Sequence, residues 1–216
     1  MENTIKVTGR SKISVAPDTT RIVFDMNDWR ESYDETLALF NGQFASLLKK
    51  LKSCGFSKED LKTTHYSLSV RNENYRDKDG NYRTKQVGYE FYHTSRIEFP
   101  SDGKRLNRIL TALSKDGAMP EFRIEYTVSD PESVKKELIA AAVKDAGEKA
   151  KVLAEAAGQK LGGVISINYA YGEDDMTVRP MERAKLCANG ACDAMNVNFT
   201  PEDIVIEDTV SVIYAF

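Results

Sequence analysis

The chain has 216 residues, of which 41% are hydrophobic and 29% are charged, and its formal net charge is -3 at pH 7. A chain of this length and apolar content can bury a sizeable core. Because its 33 acidic and 30 basic residues are mixed along the sequence, it carries no one-sided basic field, and we expect no nucleic-acid partner.

The start of the sequence lacks the apolar stretch of a secretory signal. The longest uninterrupted apolar run, Leu138 to Val143, is far shorter than the roughly 20 residues that a membrane-spanning helix needs. Cys54, Cys187 and Cys192 make an odd number of thiols, which cannot all pair within one chain. We therefore expect no membrane span and a cytoplasmic protein, or a periplasmic or secreted one if a signal peptide was removed.

Two strands and a helix are predicted first. The segments Thr4–Val15 and Arg21–Trp29 are rich in β-branched residues or alternate between apolar and polar, and Pro17-Asp18 separates them by a turn. This pattern predicts two antiparallel strands. A capping box, Ser32-x-x-Glu35, then precedes an apolar stripe at helical spacing that should end near Gly55.

A long hairpin follows, because period-two alternation from Leu61 leads into the turn residues Asp77–Asn81 and then into the extended segment Val87–Phe99. A second helix, ending at Gly117, and a further strand come next. From Arg21 to Val128 the predicted order is therefore strand, helix, strand, strand, helix, strand. This is the βαββαβ order of ferredoxin-like folds, in which two helices cover one face of a single sheet.

A third and longest helix is predicted from the cap residue Asp130 to Ala157, where Gly158 ends it. Strands are predicted at 161–171 and 204–214, separated by a long aperiodic segment, 172–198. The sequence thus predicts one α+β domain spanning residues 1–216, with a mixed, mainly antiparallel twisted sheet, helices packed on it, a third long helix and two C-terminal strands.

Three separated stretches carry a family resemblance: GRSKISVAPD from Gly9, AVKDAGEKAKVLA from Ala142 with the following Gly162-Gly163-Val164, and TPEDIVIEDTVSVIY from Thr200. Together they resemble the SIMPL domain family, named for a signalling molecule that interacts with a pelle-like kinase. The resemblance implies an α+β fold, mainly bacterial proteins of unassigned activity, homo-oligomers and an association with stress defence. It supplies no catalytic residues. The hairpin tip and the 176–195 segment match no family pattern.

Five sulfur side chains lie between Met176 and Met195, and they include Met181, Cys187 and Cys192. Thiolates and thioethers suit Cu(I), and two thiols could form a reversible disulfide. The spacing is not that of a zinc site, and ordinary loop packing is the alternative interpretation. Cys187, Cys192 and Met181 are the candidate metal ligands.

Other candidate sites have simpler explanations. His65 and His93 could form an acid–base pair, but strand histidines beside tyrosines are more often packing residues. The acidic run 173–175 lacks the spacing of a calcium loop, and the glycines at 158 and 162–163 follow a helix rather than a strand, unlike a phosphate loop. No assembled catalytic site or cofactor is predicted, although an unrecognised active site in a long loop remains an open alternative.

The hairpin tip carries the candidate interaction residues Tyr75, Arg76, Tyr82 and Arg83. Tyrosine and arginine could stack single-stranded nucleic acid, but acidic residues interrupt the series, and a contact with a neighbouring subunit suits it better. The leading hypothesis is a non-enzymatic, homo-oligomeric interaction or stress-associated module. The alternative is a metal-binding or thiol redox protein using the sulfur-rich segment.

Overall fold

A computed structural model describes residues 3–114, 120–170, 176–179 and 200–215. These residues divide into two compact units. The first unit comprises 3–18, 127–170, 176–178 and 201–215, and the second comprises 19–114 and 120–126 with Arg179 and Thr200. The elements, in chain order, are β1 (Thr4–Val15), β2 (Thr19–Arg30), α1 (Tyr33–Ser53), β3 (Lys62–Arg76), β4 (Tyr82–Pro100), α2 (Gly103–Ser114), β5 (Glu121–Thr127), α3 (Pro131–Ala156), β6 (Val164–Asn168), β7 (Thr177–Val178) and β8 (Ile204–Ala215).

The second unit is built on an antiparallel sheet with the strand order β3-β4-β2-β5. One face of this sheet packs against α1 and α2. The buried core between them includes Phe24, Phe91, Leu51 and Ile109, and partly buried side chains of β3 and β5 pack against it. The alternation of β2 explains this, because Ile22, Phe24 and Met26 all face the helices. The strand order is that of a ferredoxin-like fold, as predicted.

Helix α1 begins where its sequence signals place it. The Ser32 side chain accepts a hydrogen bond from the backbone N–H of Glu35, so the capping box is formed in part. At its other end, Gly55 has φ 87°, a left-handed conformation that glycine adopts without a steric penalty. The predicted stop at Gly55 is confirmed.

The first unit contains a three-stranded sheet with the order β1-β8-β6, covered by α3. Every fourth residue of α3, from Ala142 through Ala146 and Ala150 to Ala154, is fully buried. These small side chains let the helix approach β1 closely at Gly9, where an added Cβ would lie 1.9 Å from the carbonyl oxygen of Ala142. Gly9 therefore sets the helix-to-sheet distance.

The α+β class, the mainly antiparallel pairing and the long third helix are confirmed, but the strands form two sheets where the sequence predicts one. Strand β1 pairs along its whole length with β8, from Thr4 opposite Ala215 to Val15 opposite Ile204, rather than with β2. The turn after Pro17 is held instead by Asp18, whose carboxylate accepts hydrogen bonds from the backbone and hydroxyl of Ser129 at 2.7 and 2.6 Å. Whether residues 1–216 act as a single domain stays a prediction.

We expect Gly9→Ala to lower the free energy of unfolding by about 1–3 kcal/mol or more, because the new methyl group overlaps the α3 backbone. Gly42→Ala in helix α1 is the matched control, since apart from its chain neighbours and the backbone of its own helix no described atom lies within 4 Å of the added Cβ. There the same substitution should stabilise the protein by about 0.5–1 kcal/mol through helix propensity. Urea denaturation of both variants measures the difference, and equal effects would contradict the close contact.

Candidate functional site

The second unit carries a β ribbon that extends beyond its sheet. Strand β2 pairs with β4 only as far as Arg30 opposite Tyr89, whereas β3 and β4 continue pairing to Arg76 opposite Tyr82. Residues 72–86, which we call the ribbon, are all exposed except the half-buried Asp77. Two-stranded hairpins in water are only marginally stable by themselves. The ribbon must therefore be held at its base and at its turn.

The base of the ribbon is fixed by a close backbone approach and by a stacked side chain. A Cβ on Gly88 would lie 2.2 Å from the carbonyl oxygen of Arg30, so only glycine fits there. A register shift in β3 follows Arg71. The Arg71 guanidinium lies 4.8 Å above the centre of the Trp29 ring and 3.7 Å from the Glu90 carboxylate. These contacts anchor the ribbon where it leaves the sheet.

The turn of the ribbon is organised by Asp77. Its carboxylate accepts hydrogen bonds from the backbone N–H groups of Asp79 and Asn81 and from Nε of Arg83. Hydrogen bonds from the Arg83 side chain first, and then from the Asn81 backbone, lower the pKa of Asp77. Gly80 completes the turn with φ 83°. The tip is therefore ordered by its own hydrogen bonds.

The four predicted interaction residues form two cross-strand pairs. Arg76 lies opposite Tyr82, with Nη2 donating to the tyrosine hydroxyl at 2.7 Å and the guanidinium carbon 4.7 Å from the ring centre. Tyr75 lies opposite Arg83. Because neighbouring residues of a strand point to opposite faces, the two pairs occupy opposite faces of the ribbon. Each face thus presents one tyrosine and one arginine.

Exposure is uneven between the two tyrosines, since 73% of Tyr82 and 49% of Tyr75 is accessible. The remaining cross-strand pairs of the ribbon are polar, such as Asn74 and Thr84, whose side chains are joined by a hydrogen bond of 2.9 Å. Tyrosine and arginine are the residue types that dominate protein–protein contacts. The geometry therefore suits contact with another protein surface on either face.

The candidate metal ligands Cys187, Cys192 and Met181 lie outside the described residues. Met176, at the start of the sulfur-rich segment, is described: its side chain is buried beside Leu138 and Ile206, and its carbonyl oxygen accepts a hydrogen bond from Thr127. Met176 is thus a core residue. Within the described ranges, no cluster of three or more His, Cys, Asp or Glu side chains is placed to hold a metal ion.

The two histidines are not paired. The β3–β4 register places His65 opposite Thr94 and His93 opposite Tyr66. His93 is 3% exposed, contacts Phe40 and Phe44, and has Nε2 3.0 Å from the Thr63 hydroxyl. Burial, and secondarily the charge of His65, lowers the pKa of His93. The packing interpretation of His93 agrees with these contacts.

Sequence reasoning missed a charged network on the sheet face away from the helices. Buried Glu125 lies 3.1 Å from Nε of Arg123, 3.0 Å from Nε of Arg179 and 3.6 Å from Nη1 of Arg21. Arg123 also pairs with Asp25. The alternation of side-chain direction along β2 and β5 could have indicated that these charged residues lie on one face of the sheet. It could not have indicated which of them form ion pairs. Opposite charges satisfy one another here, as expected of a structural network.

Comparison with known proteins identifies one family. The family model described as SIMPL, protein of unknown function (DUF541), matches residues 5–214. No curated protein matches this chain. Among the described helices, none is both long and apolar enough to cross a membrane.

We expect Asp77→Ala to loosen the ribbon turn, because it removes the acceptor shared by Asn81 and Arg83. The amide hydrogen of Asn81 should then exchange faster with solvent. Asp79→Ala is the control, since its carboxylate accepts no hydrogen bond within the described residues. NMR-detected exchange measures both variants, and an unchanged rate in Asp77→Ala would contradict the role of Asp77.

The same turn should respond to pH. The pKa of Asp77 is lower in the folded protein than in an unfolded chain. Its ionised carboxylate therefore stabilises the turn fully above the usual carboxyl pKa of about 3.9, and this stabilisation is lost as pH falls through the folded-state pKa. Chemical shifts of Gly80 and Asn81 should therefore move only at acidic pH below that usual value. A transition near pH 6 would contradict the assignment to Asp77.

Proposed function

This chain belongs to the SIMPL family, a family of unknown function, and we propose that it is a non-enzymatic module that assembles with copies of itself through the ribbon. The ordered ribbon is the observation that carries the proposal. It projects beyond the paired part of β2 and contributes no side chain to the buried cores. An element that adds no core but is held in one conformation suits recognition.

Preorganisation is the physical reason. A flexible loop would lose conformational entropy on binding, whereas the ribbon is already restrained by Asp77 at its turn and by Arg71 at its base. The tyrosines can then bury area against a partner at little further entropic cost. The ribbon therefore has the properties of a binding arm.

A second copy is the partner that charge favours. The ribbon contains four basic residues and three acidic ones, so it fits neither a strongly acidic nor a strongly basic surface. The chain as a whole is nearly balanced, with a net charge of -3. The resemblance to SIMPL proteins supports self-assembly and an association with stress defence. We propose the segment 172–198 as a further contact between copies.

A metal-binding or thiol redox role is the second candidate, favoured by the clustering of Met181, Cys187 and Cys192 in the sequence. Elemental analysis after incubation with Cu(I) should show stoichiometric retention by the native chain and its loss in the Cys187→Ser/Cys192→Ser variant. Equal retention by the two proteins, or none by either, together with a thiol titre unaffected by mild oxidant, would exclude this role.

Removing the ribbon should abolish the subunit contact that the ribbon makes without unfolding the protein. Replacing residues 73–85 with Asn-Gly joins the paired residues Asn72 and Gln86 by a two-residue turn. Native mass spectrometry should give a multiple of 24.2 kDa for the native chain and fewer subunits for the variant, with thermal unfolding little changed. A native chain that is monomeric at micromolar concentration would contradict the proposal.

Point substitutions give a milder test. Tyr75→Ala/Tyr82→Ala should weaken assembly by about tenfold or more, as expected for central aromatic contacts. Tyr33→Ala is the matched control, because Tyr33 is also 49% exposed but lies at the start of α1. Equal weakening by both variants would show that the ribbon has no special role.

A further inference from the structure

Strand β6 is the outer strand of the three-stranded sheet in the first unit. All five of its residues are exposed, and three are large aliphatic residues: Val164 is 51% exposed, Ile165 is 49% and Ile167 is 54%. Half-exposed aliphatic side chains clustered on one outer strand indicate a surface that is covered in the functional protein.

The backbone of β6 is also open on one side. It pairs with β8 from Val164 opposite Tyr214 to Asn168 opposite Ser211, and within the described part of the chain no strand pairs with its other edge. Proteins commonly protect such edges with lysine, proline or an inward-pointing charge. The stretch 161–170 contains no charged residue and no proline, although a bulge lies at Ile165.

We propose that β6 pairs antiparallel with β6 of a second copy around a twofold axis, which joins two three-stranded sheets into one of six strands. This inference rests on the proposed self-assembly and adds a contact in the other unit. Backbone groups on the open edge gain partners, and Ile165 and Ile167 lose contact with water. A twofold contact uses the same patch on both copies, so it closes as a dimer.

Self-pairing suits β6 better than pairing with the ribbon does. An uncharged strand placed against its own copy brings no like charges together. The ribbon would instead place Glu73, Arg76 or Arg83 beside the aliphatic side chains of β6. Those charged groups would lose hydration without gaining a counter-ion on the strand. The chemistry therefore favours a second β6 strand as the occupant.

Cysteine cross-linking tests the proposed symmetry. In a Cys187→Ser/Cys192→Ser background, each residue from Val164 to Asn168 is replaced singly by cysteine, while Cys54 stays in place because it is buried. Directly opposed residues of an antiparallel pair have Cα atoms about 4.5–5.5 Å apart, within disulfide range. A residue one position from the twofold axis lies two residue rises, roughly 6.6–6.8 Å along the strands, from the same residue of the other copy. Each further position adds the same distance.

We expect mild oxidation to give a covalent dimer of twice 24.2 kDa at one position, or at two adjacent ones, and little at the others. Cross-linking at no position, or equally at all five, would overturn the proposal. A head-to-tail contact or a different protein partner predicts the first of these results, since equivalent residues would then never lie opposite each other.

A charge substitution gives an independent measurement. Ile167→Lys should raise the dimer dissociation constant at least tenfold, because the new ammonium group would be desolvated in the contact. Val205→Lys is the matched control, since Val205 is also 54% exposed but lies on β8, opposite Ser14 of β1. Equal effects of the two variants would count against pairing through β6.

The ribbon-shortened protein separates this inference from the proposed function. If β6 pairs as proposed, position-specific cross-linking persists when residues 73–85 are removed, whatever happens to larger assemblies. If the ribbon has no role in assembly, its removal leaves the number of subunits unchanged and the β6 cross-link still forms. Loss of the cross-link on ribbon removal would show that β6 does not pair independently, and would overturn the inference.

Discussion

The ribbon exists because two paired strands of the second unit differ in length. Strand β4 has 19 residues, whereas its neighbour β2 has 12, so one end of β4 runs past the strand that should flank it. The excess pairs with β3 alone and leaves both outer edges of the hairpin without a neighbour in the described structure. Three features restrain this end of the hairpin: Gly88, which lets its backbone approach Arg30 closely, the stacking of Arg71 on Trp29, and Asp77, which accepts hydrogen bonds in the turn.

Local signals in the sequence were sufficient for most of the elements. Capping at Ser32, the glycine stop at Gly55 and the alternation in β2 each depend on residues within a few positions of one another, and the structure confirms them. The partner of β1 could not be found in this way. Alternation shows which face of a strand is buried, but it is the same whether the strand pairs with β2 or with β8. The sequence therefore predicted one sheet instead of two.

The candidate site shows the same limit. Tyr75, Arg76, Tyr82 and Arg83 were identifiable because a polar turn lies between them, which brings residues close in sequence together in space. The stacking of Arg71 on Trp29 was not identifiable, since 42 positions separate the two residues and only the β2–β4–β3 register brings them together. The three arginines around Glu125 come from different parts of the chain for the same reason. Long-range charge pairing has no local signature.

The pairing of β1 with β8 has a consequence for the order in which the protein folds. The second unit is formed almost entirely by one continuous stretch, 19–126, so its contacts can form as soon as that stretch has been synthesised. The first unit needs Thr4 to meet Ala215, and β8 follows all the other elements that the structure describes. Until then, the apolar face of β1 has no strand beside it and α3 has only part of its sheet to cover. Closing so large a loop is slow compared with forming local contacts. We therefore expect the newly made chain to form the contacts of the second unit while β1 still lacks its partner strand.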